Sequence, residues 1–110
     1  MTFDTLSLAG KVAIVTGSGR ENGIGAAIAL ALARNGASVA INHVSDAVAP
    51  RAAAVARKVE EAGGKATIVQ VDISTLEGAA KLVNDTLAAF RVDHIDILGA
   101  YLLARKEDQH

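Results

Sequence analysis

Short aliphatic runs alternate along this chain with longer segments in which apolar residues recur every three or four positions. The first run, Lys11 to Thr16 ("KVAIVT"), lies between Gly10 and Gly17. It is too short for a helix and almost wholly apolar, which predicts a buried strand. From Ile24 the apolar positions 24, 27, 28, 31 and 32 follow helical spacing, and Asn35-Gly36 supplies a stop. Residues 37–41 ("ASVAI") predict a second strand. Asp46 to Ala62 predicts a second helix, with Val48, Ala52, Val55, Val59 and Ala62 on one face. Pro50 falls in its first turn, where a missing N–H costs little, and Gly63-Gly64 ends it. Residues 65–72 ("KATIVQVD") predict a third strand. Ser74 with Glu77 has the spacing of a capping box for a third helix, whose stripe is Leu76, Ala79, Ala80, Val83, Leu87 and Phe90. "HIDIL" (94–98) predicts a fourth strand.

The resulting order is β-α-β-α-β-α-β. Strands this apolar, separated by helices, predict a parallel sheet covered on both faces. Right-handed crossovers leave few topologies, of which the dinucleotide-binding half is the commonest. The fold class expected is therefore α/β, an incomplete Rossmann-type parallel sheet. One domain is expected, because 110 residues suffice for a single core and not for two. Phe3, Phe90 and Tyr101 are the only aromatics, so that core must be built from Val, Ile, Leu and Ala.

Composition removes several function classes. Net charge is −1 with no basic cluster, so the electrostatic footprint of a nucleic-acid binder is missing. Without cysteine there is no disulfide framework, thiolate nucleophile or zinc-thiolate site. His43, His94 and His110 lack metal-ligand spacing, and the serines show no nucleophile-elbow pattern. "MTFDTLSLAGK" has neither the charged nor the apolar region of a signal peptide. No apolar run reaches the ~18 residues of a membrane span. A soluble, cytoplasmic protein with no membrane partner is expected.

Glycines 17, 19, 23 and 25 sit between the first strand and the first helix. That is where an open α/β sheet binds its ligand. Glycines there turn the chain sharply, let backbone N–H groups approach a pyrophosphate, and let the helix pack close to the sheet. The helix amino terminus adds a positive dipole for phosphate. The position after a strand and before a helix is what separates this stretch from a ligand-free flexible loop.

"VAIVTGSGRENGIG" resembles the amino-terminal signature of the short-chain dehydrogenase/reductases, T-G-x-x-x-G-x-G. Thr16-Gly17 and Gly23-Ile24-Gly25 match its two ends, while five residues, Ser18 to Asn22, replace the usual three. The resemblance continues through "GASVAIN", "AGGKATIVQVDIS" and "HIDIL", covering about residues 8 to 98. It implies that Thr16 braces the loop, that Gly17, Gly23 and Gly25 are phosphate-loop glycines, and that Ile24 lies against the cofactor. It implies further that Asp72 accepts from the adenine amino group and that Ile73 lies beside the ring. Asp72 also reads as a turn or helix-capping aspartate. An acid ending the second strand would favour NAD by accepting from the ribose 2′-hydroxyl. Here Asn42-His43-Val44-Ser45 carries no acid before Asp46, which reads as an amino-terminal cap of the second helix. NADP is therefore expected over NAD, with Arg20, Asn42, His43 and Ser45 around its 2′-phosphate. His43 also reads as a solvated loop histidine, and Arg20 with Glu21 as an exposed loop pair.

In the resembled family the fourth strand runs into N-N-A-G, followed later by a catalytic serine and a Tyr-x-x-x-Lys. After Leu98 this sequence reads "GAYLLARKEDQH". Tyr101 precedes Arg105 by four positions and Lys106 by five, one residue out of register. The expected organisation is thus a partial NAD(P)-binding Rossmann domain over 1–98 and a divergent tail over 99–110. Loss of resemblance this abrupt is what a frameshift, a retained intron or a truncated gene copy produces. The expected function is a truncated reductase that keeps the NADP-binding half and no catalytic residues. Two alternatives are a portion of a complete NADP-dependent oxidoreductase and a non-catalytic nucleotide-binding or regulatory module. An uncovered edge at the fourth strand further predicts self-association or pairing with a full-length relative.

Overall fold

The computed structural model describes residues 7–16 and 24–98. The elements are β1 (Val12–Thr16), α1 (Ile24–Arg34), β2 (Ser38–His43), α2 (Ala49–Glu61), β3 (Lys65–Gln70), α3 (Leu76–Phe90) and β4 (Ile97–Leu98). The strands form one sheet in the order β3-β2-β1-β4, and every neighbouring pair is parallel. Ile14 is in register with Ala40 and with Leu98, and Ala40 with Thr67.

Side chains alternate across a strand, so each register row faces one helical layer. Val15, Val39 and Ile41 pack against Ala29 and Ala33 of α1 and Ala52, Val55, Ala56 and Val59 of α2. Ile14, Ala40, Val69 and Val71 pack on the other face with Leu82 of α3. Both faces of the central strands are covered, which is why β1 has no polar alternation and is buried along its whole length.

Helix faces differ from the sequence reading where alanine or threonine obscures the pattern. Over residues 26–34 of α1 the buried ones are Ala29 and Ala33, with Ala26, Ile28 and Leu32 packed beside them. Ala27 and Ala31 are exposed. A helix apolar nearly all round carries little phase information. In α3 the buried residues are Leu82 and Thr86, whereas Leu76 and Ala80 are exposed. Thr86 is polar and so escapes a hydrophobic count, but its Oγ1 donates to the Leu82 carbonyl at 2.7 Å. That bond makes the threonine acceptable in the core. Of the face expected for α2, Ala52, Val55 and Val59 are buried with Ala56 added, while Ala62 packs beside them just past the helix and Val48 lies in the turn ahead of it.

Boundaries shift in three places. A 3-10 turn, Asp46–Val48, precedes α2, which begins at Ala49 with Pro50 in its first turn. The cap of α3 is Thr75 and not Ser74: Thr75 Oγ1 accepts the Gly78 N–H at 3.0 Å. Ser74 instead donates its N–H to Asp72 Oδ1 at 2.9 Å. A Cβ on Gly78 would collide with the Asp72 carbonyl oxygen, so glycine is what lets α3 start this close to the end of β3. Finally, β4 pairs with β1 only at Ile97 and Leu98. Ahead of it Asp96 is clamped to β1: its N–H donates to the Val12 carbonyl at 2.8 Å and its Oδ2 accepts the Val12 N–H at 2.9 Å.

Candidate functional site

The carboxyl ends of β1, β2 and β3 lie side by side, and the connections run from β1 outward to β2 and β3 on one side and to β4 on the other. The boundary between β1 and β4 is the switch point at which open α/β sheets bind ligands. The last residue of β1 is Thr16, 2% exposed, and its Oγ1 is a buried polar atom without a hydrogen-bond partner. Such a group carries a desolvation cost unless something supplies a partner. Of the glycine stretch, Gly17, Arg20 and Gly23 lie outside the described residues. The backbone of Ile24 and Gly25 opens α1, so the amino terminus of a helix, with its positive dipole end, immediately follows that stretch.

At the end of β2, Asn42 is 1% exposed. Its Nδ2 donates to the Val69 carbonyl at 3.0 Å and the Val71 carbonyl at 3.2 Å. The amide therefore clips β2 to the residues that lead out of β3. His43 is 4% exposed, which removes the reading of a solvated loop histidine. Its Nδ1 lies 3.1 Å from the Ser45 carbonyl. A carbonyl only accepts, so Nδ1 carries the proton. Ser45 is exposed and makes no side-chain cap bond to the turn it precedes. Asp46 is the first residue of that turn rather than its cap, and its Oδ1 accepts from Gln70 Nε2 at 2.8 Å.

Beyond β3, the Val71 N–H still donates to the His43 carbonyl at 3.1 Å, extending the ladder one residue toward Asp72. Asp72 is exposed and Ile73 is half-buried against the Val69, Val71 and Leu82 cluster. The Asp72 Oδ1 bond to the Ser74 N–H is the turn role open to it from sequence, and it fixes the carboxylate at the rim of the sheet.

The remaining titratable cluster sits at the opposite end of the sheet. His94 Nδ1 is 3.3 Å from Asp93 Oδ1, and Nε2 is 3.2 Å from Asp96 Oδ2. Hydrogen bonding to Asp93, and then the charge of Asp96, raise the His94 pKa above its ordinary value. Among the described residues no group of acids and histidines is arranged to hold a metal ion.

Gln70 and Gly78 at this end of the sheet, and Asp96 at the other, have roles that the sequence reading does not assign. A glycine in the first turn of a helix was a usable signal for Gly78, since glycine is a poor helix former. The Gln70 and Asp96 contacts are tertiary and left no local trace.

A parallel sheet with this strand order and a glycine-rich sequence after β1 defines the first half of a dinucleotide-binding domain. The family model for short chain dehydrogenases matches residues 11–100, and the chain belongs to that family. Elsinochrome reductase 1 of Elsinoe fawcettii is 45% identical over 88 residues, which is 80% of this chain and 32% of the reductase. A dehydrogenase/reductase of Sinorhizobium meliloti superposes with a TM-score of 0.75 at 41% identity, over 88% of this chain and 36% of its own. A dehydrogenase of Burkholderia cenocepacia solved with bound NADP gives 0.74 at 35% identity, over 84% of this chain and 34% of its own. The chain thus spans about a third of the length of the curated relatives it matches.

Proposed function

We propose that these residues form the NADP-binding half of a short-chain oxidoreductase, in a cytoplasmic protein. The observation that carries the reading is Thr16 Oγ1, buried without a partner where β1 enters the glycine stretch, eight residues before the start of α1. Thr16 would brace the loop, Gly17, Gly23 and Gly25 would receive the pyrophosphate, and Ile24 would lie against it. Asp72 would accept from the adenine amino group, with Ile73 beside the ring. Arg20, His43 and Ser45 would surround the 2′-phosphate. Asn42 would act from behind, since its amide is engaged by the carbonyls of Val69 and Val71. NADP is preferred over NAD in this reading because no acid ends β2. The NADP bound in the Burkholderia relative supports it.

The bound cofactor supplies a hydride; the side chains described here bind and orient it. Carbonyl reduction also needs a proton donor beside the substrate. No such residue is assigned within 1–98, and Tyr101, in the segment outside the described residues, is out of register with Lys106. The 110 residues therefore bind cofactor without turning it over. The stretch shared with elsinochrome reductase 1 is the cofactor half, so cofactor class transfers from the relatives and substrate does not.

Titration calorimetry of the 110-residue chain with NADPH and NADH tests both parts. NADPH is expected to bind more tightly, with no NADPH consumption on adding ketone or quinone substrates. Equal or absent binding overturns the cofactor assignment, and steady NADPH oxidation overturns the catalytic one.

A further inference from the structure

We infer that Gln70 is a positioning residue for cofactor choice, holding the Asp46 carboxylate on the β3 side of the β2 end and away from the cofactor's 2′-phosphate. The inference rests on the NADP reading above. An acid that reaches the adenosine ribose accepts from a 2′-hydroxyl and repels a 2′-phosphate. Asp46 is the first acid after β2, three residues beyond His43, and exposed. It is the residue of this segment whose charge could reverse the preference.

The sheet order puts β3 outside β2, with β1 and the start of the glycine stretch on the other side. Gln70 is the last residue of β3 and the register partner of His43. Its Nε2 donates to Asp46 Oδ1 at 2.8 Å and lies 3.4 Å from the Val44 carbonyl. A primary amide has two N–H donors, so one group can hold both ends of the Val44–Asp46 turn toward β3. The His43 ring holds the middle of the same turn through the Ser45 carbonyl. Gln70 is neutral: it orients the carboxylate and leaves its charge intact. Removing the amide releases a full negative charge on an exposed side chain with other rotamers open to it.

The test is a cycle of Gln70→Ala, Asp46→Asn and the double variant, read as the ratio of NADH to NADPH dissociation constants on the full chain. Both positions are exposed, and melting curves check that each variant is folded. Gln70→Ala is expected to lower the preference for NADPH roughly five- to tenfold, the scale of one added charge acting near a surface. In the Asp46→Asn background the same change should move the ratio less than about twofold, because the charge it releases is gone. A merely structural role for Gln70 would weaken both cofactors alike and persist in the double variant. An unchanged ratio in Gln70→Ala, or an equal change with and without Asp46, overturns the inference while leaving the NADP reading standing. A wild-type chain with no preference overturns the reading itself, and the inference with it.

Discussion

Thr16 carries the most information of any single side chain. Its hydroxyl is buried and unpartnered, so replacing it with a methyl should cost the fold little and the cofactor much. Thr16→Val is expected to keep the unfolding free energy within about 1 kcal/mol of wild type, or raise it, while NADPH affinity falls about tenfold. A stability loss beyond that range would show that the hydroxyl has a partner in the fold. His94 gives a second prediction at this scale. Its pKa is raised in the folded chain by Asp93 and then Asp96, so protonation favours the native state. The stabilisation is fully present below the ordinary value of 6.5 and is lost as pH rises through the raised folded value. Because the ring is exposed the effect is small. Wild type should lose a little melting temperature between about pH 5.5 and about pH 8.5 relative to His94→Gln, and salt should shrink the difference.

At the scale of elements, the start of α3 governs where Asp72 stands. Thr75 caps the helix, Gly78 lets it approach, and the Asp72 carboxylate bonds to the Ser74 N–H in the same turn. Gly78→Ala drives a methyl into the Asp72 carbonyl, so it is expected to destabilise by about 1–3 kcal/mol despite alanine's better helix propensity. Chemical denaturation checks this, and a stabilised variant would mean that α3 begins elsewhere. The same turn shows what could be read from sequence. The existence and order of every element followed from period and punctuation, since Gly10, Gly36 and the Gly63-Gly64 pair bound aliphatic runs cleanly. The cap slipped by one residue because Ser74 and Thr75 are both good caps. Only the approach of Asp72 decides between them.

For the whole molecule, the central strands are more deeply buried than the outer strand β3. β1 and β2 are buried along nearly their whole length, whereas β4 pairs over two residues. Amide exchange should therefore be slowest in Ala13–Val15 and Val39–Ile41 and much faster at Ile97 and Leu98. Saturation with NADPH should slow exchange at the carboxyl ends of β1 to β3 as well as stabilising the chain globally, by about 2.7 kcal/mol at one hundred times the dissociation constant. Protection that is uniform from β1 to β4 would mean that β4 is held by more than its pairing with β1. The Asp96 clamp is what such a result would point to first, since its bonds to Val12 join β4 to β1 ahead of the ladder.

Hydrophobic period and glycine placement are local properties, so the sequence by itself determined the α/β alternation, the parallel sheet and the place of the glycine stretch at the end of β1. It also placed Thr16, Asn42 and Asp72 at or just past the ends of aliphatic runs, with His43, Ser45 and Ile73 in the residues that follow. Tertiary structure decided what those side chains do. Asn42 is turned into the sheet because the carbonyls of Val69 and Val71 are there to receive its amide. His43 is buried at the end of β2 and its ring bonds to the Ser45 carbonyl. Gln70 reaches Asp46, and Asp96 reaches Val12, across separations of 24 and 84 residues. Contacts of that span arise only when the strands pair, and no window along the chain contains them.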